Sequence, residues 1–205
     1  MWCHAGWPSI MCVTAWRALS HLLFNSRLMT LILNPHRLVQ PALEPVSLAE
    51  AKLFLRVEHD VEDTLIATLI TTAREAAERL LGMSCIVQRW QWESVPFCGT
   101  LTLPFGPVRS IVEVAQRQRE ATSYSVLDSG AYALRGDTLV LQAAPQTGTQ
   151  LRVIYEAGFG DEATDVPATL RHALMRHIAA LYDSRGTAGV VDLHPIYAEL
   201  REVRI

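Results

Sequence analysis

The chain has 205 residues, of which 50% are hydrophobic and 19% are charged, and its formal net charge is -3 at pH 7. This composition is typical of one folded globular domain and excludes an intrinsically disordered chain. The mild acidity argues against binding nucleic acid through charge alone, because proteins that do so carry a strongly basic face. No stretch reaches the roughly 18–20 uncharged apolar residues of a membrane-spanning helix, so we do not expect this chain to be an integral membrane protein.

Residues 1–28 differ in composition from the rest of the chain. They contain no acidic residue and three of the five tryptophans. A signal peptide would show an early charged segment and then an uninterrupted apolar run, whereas here Arg17 divides the apolar run. We therefore interpret residues 1–28 as an atypical extension that is not native, with Met29 as the true start. An amphipathic segment that lies on a membrane surface is the alternative.

Two helices are predicted after an extended lead-in over residues 34–46, which contains three prolines. Ser47 and Glu50 form a capping box that starts a short helix ending near Val57. A longer helix is predicted over residues 60–81, with Gly82 at the position of a left-handed C-cap. Its apolar residues recur at three- and four-residue steps: Leu65, Ile66, Leu69, Ala73, Ala76 and Leu80.

From Cys85 onward the apolar period changes to two, which predicts β-strands. In the first strand, Trp90 and Trp92 fall on one face while Arg89 and Glu93 fall on the other. Turn-forming residues separate the further predicted strands, which cover residues 101–103, 110–117, 131–134, 138–142 and 150–156. Short strands with closely spaced turns predict an antiparallel sheet between two helical parts of the chain.

Pro167 opens a last long helix, predicted over residues 167–185, and its stripe consists of Leu170, Leu174, Ile178 and Leu181. Gly186 and Gly189 predict a flexible bridge after it. The final residues, 192–205, form a short helix or an extended tail that is too short to fold alone. We therefore expect this tail to become ordered on a partner.

Residues that could hold a metal or a cofactor do not form a recognisable site. The cysteines form no C-x-x-C motif, so we interpret all four as free thiols: Cys3, Cys12, Cys85 and Cys98. His172 and His177 are five residues apart, about 140° around a helix, so they cannot bind one metal ion. We expect His172 to face solvent or an interface, and we predict no metal and no cofactor.

Residues that could support catalysis are also few. The acid pairs Glu62–Asp63 and Glu75–Glu78 lack a nearby partner for acid–base catalysis, and we interpret them as solvated helix faces. The glycines of 158–160 follow a predicted strand but lack the third glycine of a dinucleotide-binding loop. We therefore expect a protein that acts through its surfaces and is not an enzyme.

The order of these motifs resembles the head–tail connector, or adaptor, family of tailed bacteriophages and the related gene transfer agents. The resemblance extends over residues 45–205. It is carried by Pro-Val-Ser-Leu-Ala-Glu-Ala-Lys at 45–52, His-Asp-Val-Glu-Asp at 59–63, Tyr-Glu-Ala-Gly-Phe-Gly at 155–160, and Val-Pro at 166–167. Each motif alone is weak, but their order and spacing together are specific.

The resemblance implies an α+β fold: a helical bundle of two or three main helices, an antiparallel β-rich insertion between the long helices, and a C-terminal extension. It implies a connector domain over residues 29–205, which is helical over 47–82, β-rich over 85–157, and helical with a C-terminal tail over 166–205. The resemblance does not distinguish a phage protein from a gene transfer agent protein.

The function that the resemblance implies is structural. Such adaptors form a twelve-membered ring beneath the portal protein at one capsid vertex, in the neck of a virion or phage-like particle assembled in the bacterial cytoplasm. The ring joins the portal to a neck or tail component, such as a stopper or tail terminator. DNA passes through its channel without sequence-specific binding, and no membrane is involved.

In related connectors the C-terminal segment engages the portal. Carried over, this role falls on Ile196, Tyr197, Leu200, Arg201, Val203, Arg204 and Ile205. The alternative is that this apolar stripe folds back onto its own subunit.

Two other functions stay open. One is a small hydrolase-like enzyme, which would need Asp or Glu and His side chains converging in a pocket. The other is a nucleic-acid-binding regulator, which would need a contiguous arginine face; Arg117 and Arg119 lie close to acidic residues in the sequence.

Overall fold

The computed structural model of the chain describes residues 35–94, 99–118, 120–143, 148–185 and 191–201. In these residues four α-helices and eight β-strands form a mixed α+β fold with two antiparallel sheets, which confirms the predicted class. The helices are α1 Leu48–Leu55, α2 Asp63–Leu81, α3 Ala168–Asp183 and α4 His194–Arg201. The strands are β1 His36–Val39, β2 Gln88–Ser94, β3 Thr100–Thr102, β4 Val108–Arg117, β5 Ser125–Val126, β6 Tyr132–Arg135, β7 Thr138–Leu141 and β8 Gln150–Ala157.

Helix α1 starts at the predicted capping box. The Glu50 amide donates to the Ser47 hydroxyl at 3.2 Å, and the Ser47 amide donates to the Glu50 carboxylate at 2.9 Å. Two backbone donors that the first turn leaves without helical partners are thereby satisfied. The helix ends at Arg56, whose φ of 58° places it in the left-handed region.

Helix α2 begins at Asp63, three residues later than predicted. Asp60 does not start the helix, because its carbonyl instead accepts the Asp63 amide at 3.2 Å in a turn. The C-cap is correctly predicted at Gly82, which has a φ of 62°. The apolar residues that are fully buried on α2 are Ile66, Ile70, Ala73, Ala77 and Leu81.

The buried stripe of α2 is therefore rotated from the predicted one. Leu65 is exposed, and Leu69 and Leu80 are only half-buried against the core. Helix α3 packs on α2 and buries Leu174 and Ile178. The four helices share one hydrophobic core, to which residues of α1, α2, α3 and α4 all contribute.

The β-rich part lies between α2 and α3 in the chain and has a core of its own. The larger sheet has the strand order β1-β2-β8-β4-β5, and the smaller sheet has the order β3-β7-β6. Strand β8 is central, and its residues alternate strictly between buried and half-buried. The buried side chains of this second core are Trp90, Trp92, Leu101, Leu103, Val114, Leu139, Leu151, Val153, Tyr155 and Ala157.

Strand β1 belongs to the lead-in that the sequence predicts only as extended. It pairs antiparallel with β2, with Arg37 opposite Trp90. Its four residues show no apolar alternation, and Leu38 and Val39 are both exposed. The pairing of β1 with β2 was therefore not predictable from an apolar period of two. Strand β1 lies at the edge of the sheet, and Arg37 anchors it through ion pairs to Glu75 and Glu78.

The glycines that follow β8 serve the packing of the backbone. Gly158 has a φ of 146°, and a Cβ atom there would lie 2.5 Å from the backbone at Ile86 and Val87. The chain segments at this crossing are hydrogen-bonded, with the Val87 amide donating to Gly160 at 3.0 Å. Only glycine tolerates so close an approach of two backbones, which explains the motif without a nucleotide.

Candidate interaction surfaces

The C-terminal helix α4 contains the first four residues predicted to bind a portal. Tyr197 is fully buried, and Ile196 and Leu200 pack half-buried against the helical core of the same subunit. The apolar stripe therefore folds back onto its own subunit, so Tyr197 is not available as an exposed anchor. Arg201 ends the helix.

The other residues of that prediction, Val203, Arg204 and Ile205, lie outside the described residues, as do Gly186 and Gly189. Binding of a portal by the end of the chain stays a prediction.

Tyr197 is held by a histidine of α3. Its hydroxyl lies 3.0 Å from Nδ1 of His177, and the two rings meet edge to face at 84° with centroids 5.7 Å apart. Burial lowers the pKa of His177, against a hydrogen bond to the Ala73 backbone that raises it. Burial also raises the pKa of Tyr197. Both side chains are therefore neutral at pH 7.

The end of α1, the start of α2 and the loop between them present apolar side chains to solvent. Lys52 binds Asp60 at 2.6 Å and Asp63 at 2.7 Å, which ties this loop to both helices. Next to these ion pairs Leu53 is 81% exposed and Val61 is 90% exposed. We define the apolar tip as Leu53, Phe54, Val61 and Leu65, all of which are exposed. Large apolar side chains that are held in water at the junction of two helices are typical of an interaction surface.

The apolar tip was not identified from the sequence. Leu53 and Val61 are large apolar residues that belong to no predicted apolar stripe. This mismatch is the sequence signal from which their exposure could have been predicted. Phe54, on α1, is also exposed and makes an edge contact with His172, at 6.2 Å between ring centroids. His172 is itself exposed, as predicted.

Smaller apolar groups are exposed at both edges of the larger sheet. Leu38 and Val39 are exposed on β1 at one edge. At the other edge, Val126 is exposed on β5, and Val112 is exposed at an irregularity in β4. Both edges expose apolar side chains, and they lie at opposite ends of the strand order.

The prediction that the acid pairs face solvent is wrong for Glu78. This side chain is 1% exposed and lies 2.9 Å from Arg74, which is itself buried. Glu75 is partly exposed, in closer agreement with the prediction. Glu62 and Asp63 are engaged in ion pairs and are only partly exposed. The acidic side chains of α2 therefore stabilise the fold through ion pairs.

A surface pocket of about 280 Å³ adjoins Glu78. Its wall includes Arg37, whose guanidinium binds Glu75 at 3.3 Å and Glu78 at 2.9 Å and lies over the ring of Trp90. The charged groups named here bind each other, so they leave no acid–base pair poised for catalysis. Among the described residues no group of three His, Cys, Asp or Glu side chains is placed to hold a metal ion.

The outer face of the larger sheet is polar and electrically balanced. Arg89 binds Glu156 at 2.7 Å, and Arg152 binds Glu113 at 2.8 Å. These arginines are neutralised by partners in neighbouring strands, so they form no basic face of the kind that binds phosphates.

Arg117, which was considered for nucleic-acid binding, donates to Gln150 and lies over the ring of Tyr124. Arg119 lies outside the described residues. In the part of the chain that is described, no helix is long and apolar enough to cross a membrane.

Three solved structures share this fold. A chain from the neck of an empty GTA particle, computed with C6 symmetry, is 18% identical with a TM-score of 0.70 and covers 84% of this chain and 97% of that chain. A chain from the virion of a native gene transfer agent particle is 17% identical with a TM-score of 0.67, covering 83% and 96%. A chain from the neck of a native GTA particle, computed with C12 symmetry, is 17% identical with a TM-score of 0.60, covering 82% and 97%.

A match to a family model covers α1, α2 and the first strands of the β-rich part. No curated protein matches the chain. Residues 45–132 match the family described as phage gp6-like head-tail connector protein. The resemblance seen in the sequence is thereby confirmed: residues 45–132 are similar to the gp6-like head–tail connector family.

Proposed function

We propose that this chain is a structural head–tail connector that forms a ring in the neck of a phage-like particle. The family match over residues 45–132 supports the connector role. The fold shared with neck chains of gene transfer agent particles supports the location. Two of those necks were computed with C6 and C12 symmetry, and a twelve-membered ring is consistent with both.

The structural observation that best supports assembly into a ring is the exposed apolar surface. A ring needs a head-to-tail contact, in which two different surfaces of one copy meet on its neighbour. The apolar tip and the sheet edges supply separate apolar surfaces on one chain. Burying Leu53 and Val61 against the next copy would remove from water two side chains that are now among the most exposed.

The remaining parts of the role follow from the connector assignment. The ring lies beneath the portal protein and joins it to a stopper or tail terminator, and DNA passes through its channel. Residues 29–205 form the connector domain, the helices supply its bundle, and residues 1–28 are not needed. The protein works through its surfaces and has no catalytic activity.

Size-exclusion chromatography with light scattering tests the ring. We expect the wild-type chain to form a closed oligomer, and the double variant Leu53→Ser with Val61→Ser to remain folded but monomeric. Thr122→Ser, at an exposed position of the β-rich part, is the control and should assemble normally. A double variant that assembles like the wild type would exclude the apolar tip as the ring contact.

Portal binding is tested by removing only residues 202–205. Deleting 192–205 would also remove Tyr197 from the helical core, so a loss of binding could then reflect unfolding. The shorter deletion leaves α4 in place. We expect it to keep the thermal stability of the wild type and to lose co-purification with the portal protein. Normal co-purification would show that the end of the chain is not the portal contact.

A further inference from the structure

The lead-in before α1 runs along the C-terminal half of α2 and exposes apolar side chains there. Arg37 binds Glu75 and Glu78, and farther along the lead-in Glu44 binds Arg74 at 2.7 Å. These ion pairs fix both ends of the segment between them to the helix. The apolar side chains that this segment leaves exposed are Leu38, Val39 and Leu43, which we call the lead-in surface.

The lead-in surface and the apolar tip differ in charge. Residues 35–43 contain one arginine and no acidic residue, whereas residues 56–63, which include the loop of the apolar tip, contain four acidic residues and one arginine. Arg79 is exposed in the last turn of α2 and lines the surface pocket together with Arg37, whereas Glu58 is exposed in the loop. Within the described part of the chain, neither Arg79 nor Glu58 has an ion-pair partner. Each surface therefore offers an exposed charge without a partner, and the two charges are opposite in sign.

These two surfaces cannot meet within one chain. The apolar tip lies at the N-terminal end of α2 and Arg79 lies at its C-terminal end. Because a helix rises about 1.5 Å per residue, Asp63 and Arg79 are about 24 Å apart along the axis, which two side chains do not span. A contact between the apolar tip and the lead-in surface therefore joins two copies of the chain. It joins two different surfaces, so it is a head-to-tail contact.

The opposite edge of the larger sheet matches the apolar tip less well. Val126 is exposed there on β5, but Glu120 and Asp128, which flank it in the sequence, are exposed as well. Docking the tip at that edge would place its acidic loop against further acidic side chains, and like charges brought together across an interface disfavour association. Charge therefore favours the lead-in surface over the β5 edge.

We propose that the apolar tip of one copy docks on the lead-in surface of the next copy, with Glu58 paired to Arg79 across the contact. This inference rests on the proposed ring and names the surface that receives the tip. The apolar side chains supply most of the affinity, because an exposed ion pair contributes little. The charges select which edge of the sheet is used.

Exchanging the two charges tests the contact in the full chain. Glu58→Arg and Arg79→Glu each place like charges across the contact, so each should raise the dissociation constant of the oligomer about tenfold or more, measured by light scattering on dilution. The double variant restores opposite charges and should return the constant to within about threefold of the wild type. Asp128→Arg at the β5 edge is the control and should leave it unchanged.

Cross-linking distinguishes the two edges directly. A flexible reagent that joins two thiols should link Val61→Cys of one chain to Leu38→Cys of another when the two variants are co-expressed, and should yield covalent dimers. Val61→Cys with Val126→Cys should give no more dimer than Val61→Cys alone. The wild-type chain measures the background from its own cysteines.

A monomeric wild type would reject the proposed ring, and this contact with it. An oligomeric wild type would leave the ring standing but overturn the inference in three cases: if neither charge reversal weakens the oligomer, if the double variant is not restored, or if Val126→Cys cross-links in place of Leu38→Cys. A Leu38→Cys thiol that resists maleimide in diluted monomers would also overturn it, because another part of the same chain would then cover the lead-in surface.

Discussion

Arg74 and Glu78 lie one turn apart on α2 and form an ion pair of 2.9 Å in which neither side chain is more than 3% exposed. The Glu78 carboxylate also accepts from the Cys85 amide at 3.0 Å, from Gln88 at 2.7 Å and from Arg37 at 2.9 Å. One carboxylate therefore ties β1, α2 and the start of β2 together at the junction of the two cores.

Neutralising this carboxylate should destabilise the fold strongly. Breaking one side of a buried ion pair typically costs about 3–5 kcal/mol, because the remaining charge stays buried without its partner. We expect Glu78→Gln to lower the free energy of unfolding in urea by an amount of this order. Glu75→Gln, on the same helix but with a side chain 40% exposed, is the control and should change it by less than about 1 kcal/mol. Similar losses in both variants would contradict the central role of Glu78.

The packing of α2 on α3 predicts unequal effects for two leucines. Leu174 is 1% exposed, and truncating such a side chain costs about 2–5 kcal/mol. Leu69 is only half-buried, so Leu69→Ala should cost less than Leu174→Ala. Urea unfolding of the two variants measures which loses more free energy of unfolding. The exposed variant Leu53→Ala is the reference, and its loss should be near zero. A larger loss at Leu69 would show that the core is assigned to the wrong face of α2.

The capping box of α1 predicts a pH dependence. Hydrogen bonds from Ser47, and then the charge and hydrogen bond of Arg171, lower the pKa of Glu50 below its usual value of 4.5. A folded-state pKa below the unfolded one stabilises the protein above the unfolded pKa, and this stabilisation is lost as the pH falls through the folded pKa. We therefore expect Glu50→Gln to be less stable than the wild type at pH 7.

Unfolding in urea at pH 7 and below pH 4 measures this difference in free energy. Because Glu50 is partly exposed, we expect about 1 kcal/mol or less at pH 7, and a smaller value in acid. A difference that stays constant from pH 7 to pH 3 would mean that titration of Glu50 does not contribute.

The composition break at Met29 predicts that residues 1–28 are dispensable. A chain that starts at Met29 should fold with the same melting temperature as the full chain and form the same oligomer in light scattering. A truncated chain that fails to assemble would make residues 1–28 a genuine interface.

The balanced outer sheet face predicts weak binding of DNA. At about 150 mM salt the isolated protein should not shift a labelled duplex in a gel. The double variant Glu113→Gln with Glu156→Gln frees Arg152 and Arg89 from their partners, so it should bind more tightly and with a steeper salt dependence. Tight, salt-sensitive binding by the wild type would contradict a channel through which DNA slides.

The sequence predicted the helices and six of the eight described strands, because these depend on local patterns, whereas the edge strands β1 and β5 were not predicted. The capping box at Ser47, the C-cap at Gly82 and the alternation around Trp90 and Trp92 were all correct. The buried role of Glu78 was not predictable, since its spacing from Arg74 fits an exposed helix pair equally well. Its second arginine, Arg37, is 41 residues away, and no local pattern brings the two together.

The surfaces were harder to predict than the fold. Apolar spacing on α4 fits a docking stripe and a buried stripe equally well, and only the contact of Tyr197 with His177 distinguishes them. The exposure of Val61 depends on the loop that Lys52 holds in place, which is a tertiary effect.

The two separate hydrophobic cores have a consequence for how this chain tolerates change. Substitutions more than about 7–10 Å apart that share no partner usually have additive effects on stability. A change at Leu174 in the helical core and one at Leu151 in the β core should therefore add, whereas changes around Glu78 should not. The helical half and the β half can thus diverge in sequence at different rates, with the residues at their junction as the shared constraint.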